Sequence, residues 1–99
     1  MSQGVKITIV MNLKPEMAEQ FCAGLGEALK DTRNFPGCRW VNLYRNGDDP
    51  NKVMILEEWD SRPQYEKYLA WRAESGGMAA MADLMTSPPA LDFWPTLIA

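Results

Sequence analysis

The chain contains no histidine. Imidazole is the commonest ligand of catalytic zinc and the usual proximal ligand of haem, so either centre would have to form without its ordinary donor. A histidine general base is excluded outright. Cysteine is scarce as well. Cys22 and Cys38 fall on an expected helix and an expected strand, at a spacing that fits neither a zinc pattern nor a redox pair, so two reduced, partly buried thiols are expected. No apolar run approaches the roughly 20 residues of a membrane span. The opening "MSQGVKITIV" has one lysine and no small-residue cleavage site, so no leader is expected and the expected location is cytoplasmic. Lys and Arg are scattered through a chain of net charge −3, which leaves no cationic patch to displace counterions from nucleic-acid phosphates. No metal cluster, repeat, low-complexity stretch or linker is evident.

What remains is ordinary globular material, with 46% apolar and 23% charged residues. A chain of this size buries about two-thirds of its unfolded surface, enough for one core. We therefore expect a single domain over 1–99, with a core at about 5–94 and a tail at 95–99. Residues 5–12 alternate, with Val5, Ile7, Ile9 and Met11 on one face, which predicts a strand. A helix should follow from Pro15, whose fixed φ suits a first helical position. Met17, Phe21, Leu25, Ala28 and Leu29 form its apolar stripe, and "FPGC" ends it. Gly24 and Gly26 each cost such a helix about 1 kcal/mol relative to alanine. "CRWVNLYR" (38–45) and "KVMILEEW" (52–59) read as strands joined by the turn cluster "NGDDPN", hence an antiparallel hairpin. Ser61-x-x-Gln64 has the form of a capping box and predicts a second helix from Arg62 to about Ser75, where "GG" stops it. A short methionine-rich helix at 78–85 and a strand at 90–94 complete the order.

Strand, helix, strand, strand, helix, short helix, strand describes a ferredoxin-like α+β domain, β-α-β-β-α-(α)-β, with one antiparallel sheet. If Arg45 pairs with Lys52, then Trp40, Asn42 and Tyr44 share a face with Val53, Ile55, Glu57 and Trp59; a slip of one residue exchanges these partnerships. Both helices would cover one face of the sheet. The apolar residues of the other face call for a second copy of the chain, and a two-fold homodimer is expected.

Four large rings, Trp59, Tyr65, Tyr68 and Trp71, crowd the junction of the third strand with the second helix. They either fill a core or wall a slot for a planar ligand, and Trp71 reads as helix-packing core. Asn42 and Glu57 would be polar residues on an otherwise apolar face, a setting that raises a carboxyl pKa and makes a general base; a slipped register would place Glu58 inside instead. Arg72 follows Tyr68 by one turn and reads either as a solvated cation or as an inward donor to a phenolate or carboxylate.

The stretch 35–72 resembles the antibiotic biosynthesis monooxygenase family, including its quinol monooxygenase members. It carries the Pro-Gly-Cys before strand two, "DDPN" in the hairpin, Glu57-Glu58-Trp59 ending strand three, and a following "Y-x-x-Y-L" helix. The resemblance implies a dimeric α/β barrel with a pocket between sheet and helices. It also implies cofactor-independent oxidation of a phenolic or quinol-type aromatic by molecular oxygen. Tyr68 stands where many members have a histidine, and Ile55 where haem-degrading relatives have an asparagine, so haem degradation is not expected. Trp59, Tyr68 and Glu57 are the catalytic candidates; Asn42, Trp40, Ile55, Tyr65 and Arg72 are the candidates for substrate contact. A non-catalytic ligand-binding or stress-related dimer, and an aromatic polyketide cyclase or isomerase, are the alternative readings.

Overall fold

Strand alternation and helical stripes fold here into one sheet with helices on a single face. The structure, a computed structural model, describes residues 4–99; the first three residues, part of the opening stretch read as carrying no leader, lie outside the described residues. Strand β1 (Val5–Asn12) turns Val5, Ile7 and Met11 into the core. A 3-10 turn over Pro15–Met17 then leads into helix α1 (Ala18–Asn34), with proline at the position its missing N–H favours. Helix α1 buries Ala18, Phe21, Leu25, Leu29 and Thr32, a stripe at spacings of three and four, and it runs unbroken through Gly24 and Gly26.

The hairpin of β2 (Cys38–Arg45) and β3 (Lys52–Trp59) forms as expected, but in the slipped register: Arg45 opposes Val53, not Lys52. The turn explains the slip. The Asn46 side-chain oxygen accepts from the N–H groups of Asp48 and Asp49, and the Asn46 N–H itself donates to the Lys52 carbonyl at 2.8 Å. Asn46 is thus the residue that closes the ladder against Lys52. A bulge between Cys38 and Trp40 then lets Cys38 face inward opposite Trp59 while Trp40 faces out opposite Glu58.

Helix α2 (Arg62–Glu74) begins as the sequence signals. The Ser61 hydroxyl oxygen accepts from the Gln64 N–H, although its reciprocal bond goes to the Gln64 side chain, not from it to the Ser61 N–H. Helix α3 is shorter than expected, Gly77–Ala82, and buries nothing fully. Strand β4 (Ala90–Trp94) pairs with β1, giving the order β2-β3-β1-β4, antiparallel throughout, which is the ferredoxin-like α+β arrangement. No helix among the described residues is long and apolar enough to cross a membrane.

Two clusters form the core. Under α1 lie Met11, Leu13, Phe21, Leu25, Leu29, Val41, Val53 and Ile55; under α2 lie Val5, Ile7, Trp59, Tyr65 and Tyr68. The opposite sheet face carries Val10, Trp40, Tyr44, Met54, Leu56 and Trp94 without a covering helix, and Lys6, Glu58, Arg39 and Asp60 form ion pairs at one end of it.

Gly37 links the two halves. Its φ of +98° belongs to the left-handed region, and its carbonyl accepts from the Asp60 N–H at 2.8 Å. A Cβ there would sit 2.9 Å from the Gln64 Cβ, at the start of α2. Gly37→Ala should therefore lower stability by about 1–2 kcal/mol, from the left-handed backbone alone. The check is a lower urea midpoint at unchanged m-value.

Candidate active site

The end of β3 and the first two turns of α2 are joined only by Asp60 and Ser61, so the inward residues of both meet. Trp59 and Tyr65 are fully buried and pack edge to face with ring centroids 5.4 Å apart; Tyr68 lies 5.1 Å from Trp59 and 5.9 Å from Tyr65. Phe35, at the end of α1, closes one side against Tyr68 and Trp71. Phe93, on β4, closes the other against Tyr65, with the Arg62 guanidinium 3.9 Å over its outer face. The rings make a box, not an open slot.

Two residues before Trp59 on the same strand face stands Glu57, 2% exposed. Its Oε1 accepts from the Trp59 Nε1–H at 2.9 Å. Burial pushes the carboxyl up to about 6, while the indole N–H and the Arg72 charge pull the other way. Although the register is the slipped one, Glu58 does not turn inward as expected of a slip: pairing of β3 with β1, Ile7 opposite Glu57 and Lys6 opposite Glu58, fixes its facing, so the inward carboxylate is Glu57, while Glu58 is held low chiefly by its hydrogen bond from Lys6. Tyr65 differs from its neighbours in one respect: its buried hydroxyl has no hydrogen-bond partner among the described residues. Burial first, then the charges of Glu57 and Tyr68, push its pKa well up, so it remains a protonated donor without an acceptor.

The Tyr68 hydroxyl, by contrast, is fully engaged. It lies 2.7 Å from Thr32 Oγ1 and accepts from Arg72 Nε at 2.8 Å. Arg72 Nη2 also donates to Thr32 Oγ1 at 3.0 Å and to the Ala28 carbonyl at 2.8 Å. Arg72 is therefore neither solvated nor open to a ligand at these atoms; it clamps α2 to α1. Sequence reasoning missed Thr32, Phe35 and Phe93. Thr32 had a signal: it is the polar residue that continues the stripe of Phe21, Leu25 and Leu29.

Residues 4–75 match the antibiotic biosynthesis monooxygenase family. The chain belongs to this family. No curated protein matches it by sequence. Among solved structures it resembles a conserved protein of Methanosarcina mazei Go1, at 14% identity and TM-score 0.85 over 95% of this chain and 93% of that one. It also resembles a structure of an antibiotic biosynthesis monooxygenase, at 18% identity and TM-score 0.83 over 95% and 99%. A protein of Shewanella oneidensis aligns over 100% and 96% at 22% identity and TM-score 0.84. At these identities the likeness is one of fold.

For this family member, the slipped register corrects two expectations. Trp40 and Asn42 lie on the face away from the helices and do not join Glu57 in the interior, because Val41 and Leu43 take the inward positions. Ile55 faces inward but packs in the cluster under α1, with Leu25, Leu29 and Val41. A cleft of about 490 Å³ lies elsewhere again, between α1 and the edge of β2; Asn42 reaches its rim beside Cys22, Gly26, Leu29, Arg33 and Leu43. Neither cysteine forms a disulfide, and burial, then Glu57, pushes the Cys38 thiol up to about 11. No group of three or more Cys, Asp or Glu side chains gathers as a metal site among the described residues.

The raised Glu57 carboxyl ties stability to pH. Its folded pKa of about 6 exceeds the ordinary 4.5, so the native state holds the proton more tightly. Its contribution is then fully present below pH 4.5 and is lost as pH rises through 6. The loss amounts to roughly 2 kcal/mol. Urea titrations across this window should show that slope in the wild type and its absence in Glu57→Gln. Tyr68→Phe leaves Thr32 and Arg72 short of a partner and should cost about 1–3 kcal/mol, read as a lower denaturation midpoint.

Proposed function

We propose that the protein is a cofactor-independent monooxygenase that oxidises an electron-rich phenol or quinol with molecular oxygen. The observation that carries this reading is the pairing, inside one aromatic box, of a buried carboxylate near neutral pKa with a buried tyrosine hydroxyl that lacks an acceptor. A carboxyl poised near pH 6 is a competent general base at neutral pH, and an unpaired O–H is a donor in waiting. Family membership supports the same chemistry.

In this reading Glu57 takes the phenolic proton and the Tyr65 hydroxyl stabilises the oxygen that becomes charged. The phenolate passes one electron to oxygen, and the radical pair joins at a ring carbon as a peroxide. Loss of the ring C–H proton and cleavage of the O–O bond release water and leave a carbonyl. Phenol plus O₂ gives quinone plus water, a balance that needs no outside reductant. Trp59 and Tyr68 supply the flat walls. Because Trp59 and Tyr65 are closed to solvent, the substrate enters when a covering ring swings away. A homodimer is part of the proposal: a second copy against Trp40, Tyr44, Met54, Leu56 and Trp94 would cover the open sheet face and complete an α/β barrel.

A non-catalytic ligand-binding dimer is the second reading. Oxygen uptake by the purified protein with a panel of quinols and phenols separates the two. One O₂ per substrate is expected, with kcat/KM rising with pH to a plateau about an apparent pKa near 6, since Glu57 must be ionised. Glu57→Gln should lower it about a hundred- to ten-thousandfold. Tyr65→Phe should lose about two- to tenfold while leaving stability equal or higher, because it removes an unsatisfied buried hydroxyl. Saturable quenching of tryptophan fluorescence without oxygen uptake would leave the binder standing. Sedimentation should give twice the 11.2 kDa chain mass; a stable monomer at micromolar concentration ends the dimer proposal.

A further inference from the structure

We propose that the cleft between α1 and the outer edge of β2 is a second binding site, separate from the Glu57 box, for a small aromatic carboxylate. Its volume of about 490 Å³ falls in the range of small-molecule sites, roughly 300–1,000 Å³. Leu29 and Leu43 give it an apolar wall, and the half-exposed Tyr44 stands at its rim.

The charge that would hold a carboxylate is Arg33. Arg39, Arg45 and Arg62 each meet a carboxylate, and Arg72 is committed to the helix clamp. Arg33 has only a backbone partner among the described residues: its Nη2 donates to the Val41 carbonyl at 3.0 Å. That bond fixes the guanidinium at the cleft and leaves its other N–H groups uncommitted, in the planar fork that suits a carboxylate. Among the described residues strand β2 pairs only with β3, so its other edge carries no strand. The Val41 carbonyl points to that edge, and antiparallel alternation puts the Leu43 N–H and carbonyl there too.

Gly26 supplies an independent observation. Glycine in a helix interior is less stable than alanine, and a Cβ at Gly26 would meet nothing within 4 Å. Nothing among the described residues requires glycine there. Its bare backbone instead opens the floor of the cleft, so an aromatic body could lie against α1 between Leu29 and Leu43 with its carboxylate on Arg33.

The probe is 2-naphthoate, titrated into the full chain and followed by amide NMR, with neutral 2-naphthamide as its partner. Saturable shifts are expected at Gly26, Arg33, Leu43 and Tyr44, and weaker binding of the amide. Arg33→Gln should weaken naphthoate binding about tenfold or more. Gly26→Leu should abolish it in a protein that is at least as stable, which guards against simple unfolding. Neither variant should alter oxygen uptake, so failure of the monooxygenase reading leaves this site untouched, and the reverse holds. Equal affinity for naphthamide would overturn the proposal. So would shifts confined to Trp59 and Tyr65, or binding that appears only after removal of residues 95–99, which would make the cleft the seat of the exposed Leu97–Ile98 tail.

Discussion

The Glu57 carboxylate, taken out of water beside the Trp59 indole, is the constraint around which the α2 half of the molecule is arranged. An unassisted carboxylate in an apolar interior costs many kcal/mol. The rise of its pKa from 4.5 to about 6 corresponds to only roughly 2 kcal/mol. The difference is supplied by the indole N–H at 2.9 Å and by the Arg72 charge. Removing the acid from this core would relieve a cost that no interaction inside the chain fully offsets, which is why its presence points to chemistry more than to stability.

Arg72 serves two purposes through one guanidinium. Its hydrogen bonds go to Tyr68, Thr32 and Ala28 and fasten the helices; its charge reaches Glu57 without touching it. The two sides of the aromatic box are therefore held unequally. On the α1 side hydrogen bonds from a charged donor reach Tyr68, Thr32 and the Ala28 carbonyl, each worth about 1.5–3 kcal/mol. On the β4 side Phe93 is covered by one exposed cation–π contact, worth about 0.5–1 kcal/mol.

Much of this was legible in the sequence. The alternation of Val5, Ile7, Ile9 and Met11, the stripe of Phe21, Leu25 and Leu29, and the Ser61 cap each follow from local rules and each stands where the pattern put it. The convergence of Trp59, Tyr65 and Tyr68 followed from adjacency of strand end and helix start. What was not legible depended on contacts distant in sequence. Thr32 acquires its role only because Tyr68 and Arg72 arrive from another helix, and the engagement of Arg72 cannot be read from its spacing to Tyr68. The unpartnered Tyr65 hydroxyl is visible only once every neighbour is placed.

The register of β2 against β3 shows how local and global terms divide the decision. A one-residue slip would re-partner the hairpin's hydrogen bonds, the Asn46 N–H to Lys52 carbonyl bond among them, and would turn Trp40, Asn42 and Tyr44 inward beside Glu57. In the observed register Val41 is buried opposite Glu57, and Val53, Ile55 and Trp59 complete that face. Exchanging Val41 and Leu43 for Asn42 would forfeit about 1.5–3 kcal/mol for each aliphatic side chain returned to water. It would also bury an amide that needs partners of its own. The Asn46 turn contributes hydrogen bonds worth about 1 kcal/mol each. The turn selects the register that the core then enforces, and the Arg39 bulge restores Cys38 to the inner face. With that register Val41 lies inward under α1 opposite Glu57, on the face that the pairing of β3 with β1 already gives to Glu57 and Trp59, while Glu58 meets Lys6 outside.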